Sequence, residues 1–130
     1  ISVLSGMSNT AQMEDNLSYM KKFQPLNEDE QKIIQQAQRI LGNSSTIPCT
    51  ACHYCTEGCP KHIQIPEIFS AMNKQLGNGQ IAEAVSDYQK ATNSAGLASE
   101  CVGCKQCERA CPQHIGITNY LKQCADALEK

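Results

Sequence analysis

Nine cysteines lie in this chain of 130 residues, and eight of them fall into two runs of identical spacing. Residues 49–60 read CTACHYCTEGCP and residues 101–112 read CVGCKQCERACP, an offset of 52 throughout. Thiols at this density serve either as disulfides or as metal ligands. Disulfides fit poorly, because the count is odd and neighbours so close in sequence cannot staple distant segments. The opening ISVLSGMSN also lacks the charged and apolar regions of a secretory signal. Metal ligation is the better use, and a reducing, cytoplasmic location is the expectation that goes with it.

The spacing C-x2-C-x2-C-x3-C-P resembles the run by which bacterial ferredoxins hold iron–sulfur clusters. A cubane of four irons and four sulfides needs one thiolate at each iron corner. Three cysteines two residues apart wrap a short loop around one cube, and the chain then turns away at Cys-Pro, where proline has no N–H to donate. In two-cluster ferredoxins the fourth cysteine ligates the other cluster. That resemblance implies Cys49, Cys52, Cys55 and Cys111 for one [4Fe–4S] cluster, here cluster A. It implies Cys101, Cys104, Cys107 and Cys59 for the second, cluster B. Folding and metal binding are then one event, and the apo chain is expected to be largely unstructured or molten.

Zinc is the rival metal, since four-cysteine zinc sites also use C-x2-C pairs and two zincs would absorb all eight thiolates. A doubled four-cysteine motif is more specific for iron–sulfur, and single zinc sites leave the third C-x2-C step without a role. A Rieske centre fails because His53 is matched by Lys105. Neither motif lacks a ligand, which favours electron transfer over substrate chemistry at an open iron. No catalytic residue is expected, and no Ser–His–Asp or paired-carboxylate arrangement is present. Cys124 aligns with Met72 on an apolar helical face and reads as a buried thiol. His62 and His114 share one position after Cys-Pro, where a structural role outweighs tuning of a cluster. Tyr54 is replaced by Gln106 in the second copy, so it serves no general shielding role.

Helices must position these motifs. Residues 9–23 place Met13, Leu17 and Met20 on one face. Pro25 ends that helix, and Asn27 with Glu30 forms a capping pair for a helix over 28–41, begun by the solvated Glu28, Asp29 and Glu30. Ile33, Ala37, Ile40 and Leu41 are expected to be buried there, with Gly42 as left-handed C-cap. Pro66 suits the start of a helix to Leu76 striped with Ile68, Phe69 and Met72. A turn at 77–79 precedes a helix over 80–91 with Ile81, Ala84, Val85 and Tyr88 on one face. Thr118 is expected to cap a last helix to Leu128, burying Tyr120 or Leu121 with Cys124, Ala125 and Leu128. The repeat extends into these helices, Phe69 matching Leu121. The one strand signal, residues 1–4, stands alone, so the fold class is all-α.

Composition agrees. Aromatics are 5%, there is no Trp, and the formal charge is −2, which offers no basic surface to nucleic acid. No apolar run exceeds two residues, so no membrane span is expected. Eight thiolates and two cores of roughly +2 would bring the loaded charge to about −6, which favours a partner of positive character.

Two motifs about forty residues apart, with helices between them, resemble the α-helical ferredoxin domain of the fumarate reductase and succinate dehydrogenase iron–sulfur subunits. The resemblance covers roughly residues 46–130. A second one covers residues 1–23. There Val3 to Asn9, then Glu14, Asp15, Asn16 and Leu17, look like the last strand and helix of an aldo/keto reductase (β/α)8 barrel. Iron–sulfur aldo/keto reductases carry such a ferredoxin tail. The two resemblances imply a barrel remnant at 1–23, a linking helix and connector at 24–48, and a two-cluster α-helical ferredoxin domain at 49–130. They imply an electron-transfer module, the C-terminal fragment of an oxidoreductase and not catalytic alone. Its partners would be an upstream reductase barrel, an external electron carrier and, for the fragment, a second copy of itself. A structural or redox-sensing iron–sulfur domain and a zinc scaffold are the alternatives.

Overall fold

A computed structural model describes residues 5–42 and 45–129, which divide along the chain into two compact units. Among the described residues every named element is helical. Residues 1–4, where the barrel remnant's strand is expected, lie outside them.

The first unit holds α1 (Thr10–Lys21) and α2 (Glu28–Gly42). Asn9 caps α1, its side chain accepting from the Gln12 N–H at 3.0 Å. Asn27 and Glu30 form the expected reciprocal pair. The Asn27 side chain accepts from the N–H groups of Asp29 and Glu30, both at 3.0 Å, and Glu30 accepts from the Asn27 N–H at 2.8 Å. Two expectations fail here. Ile33, Ile40 and Leu41 are 64, 66 and 76% exposed, and Ala37 is exposed too. Gly42 is the last residue of α2 itself, outside the left-handed region. The apolar stripe exists, but no element within this unit covers it.

The second unit holds α3 (Ile65–Asn78), α4 (Ile81–Thr92), a 3-10 turn (Ala98–Glu100), α5 (Gln106–Ala110) and α6 (Ile117–Leu128). Helix α3 packs on α4 and α6, and α6 also meets the 3-10 turn and α5. Gly79, at φ 67°, ends α3: its N–H donates to the Gln75 carbonyl and the Gln80 N–H donates to the Lys74 carbonyl. The core is a run of side chains in matching pairs. Ile63 and Ile115, Ile65 and Ile117, Phe69 and Leu121, and Met72 and Cys124 are all buried. Each fully buried aliphatic side chain contributes about 1.5–3 kcal/mol. The Phe69 ring meets Tyr120 edge-on at 5.9 Å. Ala84 and Tyr88 of α4 are buried, whereas Ile81 is 57% exposed.

Thr118 does not cap α6. Gly116 holds that place, and Thr118 sits in the first turn, where Glu108 of α5 accepts from its N–H (2.9 Å) and its hydroxyl (2.7 Å). Pro66, the matching residue of α3, has no N–H to satisfy. Residues 63 and 96 form an isolated parallel bridge. The chains approach so closely there that a Cβ on Gly96 would lie 2.2 Å from the Lys61 carbonyl oxygen.

Candidate metal centres

The doubled sequence becomes a doubled backbone. Ala51 and Gly103, His53 and Lys105, and His62 and His114 are three pairs at the 52-residue offset, and all six residues are left-handed, with φ between 52° and 68°. The turns repeat as well. The Cys59 N–H donates to the Thr56 carbonyl and the Cys111 N–H to that of Glu108; His62 and His114 donate to the carbonyls of Cys59 and Cys111. Left-handed residues on either side of Cys52 and of Cys104 curl each loop tightly, so that three cysteines face one space. The left-handed backbone at His62 and His114 gives these histidines a conformational role, since histidine tolerates that region better than most residues. Both are exposed.

Two small cavities, each of about 20 Å3, lie beside these loops. One is ringed by Cys49, Cys52, Cys55 and Cys111. The other is ringed by Cys59, Cys101, Cys104 and Cys107. Each therefore takes three thiols from one motif and the fourth from the other. Their remaining walls also correspond, with Ile115, Ile117 and Phe69 against Ile63, Ile65 and Leu121. Exposure follows the same pairing: Cys55 and Cys107 are buried, Cys52 and Cys104 are exposed, and the other four are intermediate. Tyr54 is 63% exposed and forms no part of its cavity wall, whereas Gln106 lines the second cavity.

The donor set fits a [4Fe–4S] cluster. A single zinc needs four sulfurs within about 2.3 Å of one point. Among the described residues no three His, Cys, Asp or Glu side chains converge in that way. The thiols instead surround an apolar space, as a cluster with its own inorganic atoms requires. All nine cysteines are free thiols. Burial pushes the thiols of Cys55 and Cys107 up to about 11, with neighbouring cysteines adding to the effect. Burial also raises Cys49, and among the charges that act on it Cys111 comes first. Cys124 is fully buried among apolar side chains, at 0% exposure, and its thiol is pushed up to about 12 by desolvation. It borders neither cavity.

Polar clamps that the sequence did not reveal hold the approach to each motif. The Asn73 side-chain amide accepts from the Ile47 N–H at 2.6 Å and donates to the Ile47 carbonyl at 2.9 Å, two residues before Cys49. At the matching position before Cys101, Glu129 accepts from the Ser99 N–H at 3.0 Å and from the Tyr88 hydroxyl. The same hydroxyl accepts from the buried Ala98 N–H at 2.9 Å. The doubled backbone anchor was the available signal, since residue 47 aligns with residue 99. The clamping side chains break the repeat: Asn73 aligns with Ala125, and Glu129 with Gly77.

Residues 48–115 match the family model of the 4Fe-4S dicluster domain. Among curated proteins, the chain is 24% identical over 106 residues to a probable glycolate oxidase iron-sulfur subunit of Bacillus subtilis (strain 168). That alignment covers 79% of this chain and 23% of the relative. It is also 27% identical over 77 residues to acetyl-CoA decarbonylase/synthase complex subunit alpha 1 of Methanosarcina acetivorans, covering 59% of this chain and 8% of that one. The chain thus spans under a quarter of either relative. No solved structure gives a significant match. Among the described residues no helix is long and apolar enough to cross a membrane.

Proposed function

Because the chain belongs to the 4Fe-4S dicluster domain family, we propose that it holds two [4Fe–4S] clusters and serves as an electron-transfer module. Cys49, Cys52, Cys55 and Cys111 would ligate cluster A, and Cys101, Cys104, Cys107 and Cys59 cluster B. The observation that carries this reading is the mixed parentage of each cavity's four thiols. Once bound, such a cluster takes up and releases one electron with little rearrangement. The chain's own task is to exclude water and hold the sulfurs. Ile115, Ile117 and Phe69 wall one site, and Ile63 and Leu121 wall the other, with Ile65 between the two. Cys52 and Cys104 lie at the surface, so each site reaches solvent at one corner.

The electrons would pass between an external carrier of positive character and a reductase domain of a longer protein. An aldo/keto reductase barrel is the parent we favour, on the strength of Val3 to Asn9 and Glu14 to Leu17. The curated relatives carry other names, an oxidase subunit and a decarbonylase/synthase subunit. A cytoplasmic location belongs to the same proposal, since eight thiolates awaiting iron are best kept in a reducing compartment.

Iron and acid-labile sulfide analysis of anaerobically purified protein, followed by dithionite reduction with EPR, tests the reading. Two reversibly reduced clusters per chain are expected. A preparation that contains zinc, a single cluster, or clusters that cannot be reduced reversibly would overturn it.

A further inference from the structure

Most residues that line one cavity have a counterpart at the 52-residue offset in the other, so the places where they differ in charge stand out. The position after Cys59-Pro60 is Lys61, and the position after Cys111-Pro112 is Gln113. Because the fourth cysteines cross over, Lys61 lines the cavity of the second motif and Gln113 that of the first. The left-handed residue after the second cysteine is Lys105 beside the second cavity and His53 beside the first. Two lysines thus stand among the residues lining one cavity where a glutamine and a histidine stand in the other. From these differences we infer that Lys61 and Lys105 give the paired sites a polarity and make cluster B the stronger electron acceptor of the two. This inference rests on the cluster-binding function proposed above.

One carboxylate acts on a cysteine of each cavity. Glu67 stands near the first cavity, where its charge acts on Cys49. One of its carboxylate oxygens approaches His53 Nδ1 at 3.7 Å, and the other is enclosed without a hydrogen-bond partner. Its counterpart at the offset is the neutral Asn119. Glu108 is the opposing charge, acting on Cys107 beside the second cavity. Its Oε1 accepts two hydrogen bonds from Thr118, and it offsets only one of the two lysines. An added electron is negative charge, and it is stabilised where positive charge is nearer. Net local charge is among the properties that set cluster potentials. Comparing equivalent positions removes what the sites share, namely four thiolates, the turn geometry and the aliphatic walls. Electrons delivered to the cluster A side would therefore come to rest on the cluster B side. Both lysines are exposed, so their influence is reduced by salt.

A potentiometric titration with dithionite, followed by EPR, tests the inference. Each signal is assigned with Cys52→Ala and Cys104→Ala, which remove one ligand from one site each. In the unsubstituted protein cluster B should be reduced first. The double variant Lys61→Gln/Lys105→His, which installs the residues of the first cavity, should shift the electron's partition toward cluster A by about tenfold. For a one-electron couple that is about 59 mV. High salt should narrow the gap in the unsubstituted protein and leave the double variant nearly unchanged. Gln113→Lys should raise the cluster A midpoint. Two clusters with equal or reversed midpoints, or a gap indifferent to the double variant, would overturn the inference and leave the cluster assignment standing. Absence of iron would overturn both.

Discussion

Removing the hydroxyl of Tyr88 should loosen one cluster and spare the other. In Tyr88→Phe the ring remains in the core, but the buried Ala98 N–H loses its acceptor and Glu129 loses a donor. A buried N–H left without a partner costs about 1–3 kcal/mol. That cost falls on the 3-10 turn, three residues before Cys101. At 1.4 kcal/mol per tenfold, the turn opens about 5- to 150-fold more often. The assay is chelator-driven iron loss under anaerobic conditions, followed by the EPR signal of each reduced cluster. Cluster B should decay faster by a factor in that range, while cluster A keeps its original rate. Asn73→Ala should give the mirror result, because it frees the Ile47 main chain before Cys49. Glu129→Gln keeps an acceptor oxygen for Ser99 and should stay close to the unsubstituted protein. Equal acceleration of both clusters by Tyr88→Phe, or none, would refute the idea that this clamp serves one loop.

Exchanging the fourth ligands gives a second check: Cys59→Ala should damage the cluster B signal and Cys111→Ala that of cluster A, as read by EPR, and damage to each motif's own cluster would defeat the crossed arrangement. Cys124→Ala should leave iron and sulfide content unchanged and cost about 1 kcal/mol of stability for the buried volume lost, measured by denaturant titration. Gly96→Ala should cost about 1–3 kcal/mol or more, because the Lys61 carbonyl must move from where the new Cβ would sit; unaltered thermal stability would count against that close approach. Acidification should weaken the second unit. Hydrogen bonds from Thr118 hold the Glu108 carboxyl low. At Glu129 burial pushes the carboxyl up, but hydrogen bonds from Ser99 and Tyr88 outweigh it. A depressed carboxyl contributes fully above its ordinary value of 4.5 and loses that contribution as pH falls through its lower folded value. Circular dichroism should therefore show helix loss below pH 4.5, smaller in Glu129→Gln.

Helices were legible in this sequence where periodicity and caps agree, and covered surfaces were not. Asn27 and Glu30 announce the start of α2, and the paired caps are formed as the residues suggest. The same helix shows why period alone cannot assign a core. Ile33, Ile40 and Leu41 share a stripe, but a stripe states only which side would be buried if something lay against it, and within the unit nothing does. In the second unit the stripes of α3 and α6 do meet, and there Phe69, Leu121 and Cys124 are buried as expected. The short α5 and the 3-10 turn lack the length for any periodic signal. They exist because Lys105 turns left-handed before α5 and because Tyr88 and Glu129 hold the 3-10 turn from elsewhere in the chain. Such contacts join residues far apart in sequence, and no local pattern encodes them.

The crossed ligation proposed above would explain why so little apolar material suffices. Residues 49–59 and 101–111 carry few large apolar side chains, and the apolar core is formed largely by the flanking Ile, Phe and Leu pairs. If each motif closed on its own cluster, two small independent loops would each need a separate core. With Cys59 at the second cavity and Cys111 at the first, neither site is complete until α3 and α6 have packed against each other. Ile65 lines both cavities and so forms part of each wall. On the proposed ligation, metal binding and helix packing would supply one another's missing contacts, and stability that the hydrophobic layer lacks would come from the ligand bonds. The same coupling puts Lys61, a residue of the first motif's tail, beside the second site. Charge placed in one half of the repeat would thereby act on the proposed cluster of the other half, and the two sites could diverge in electron affinity while their cysteine frameworks remain identical.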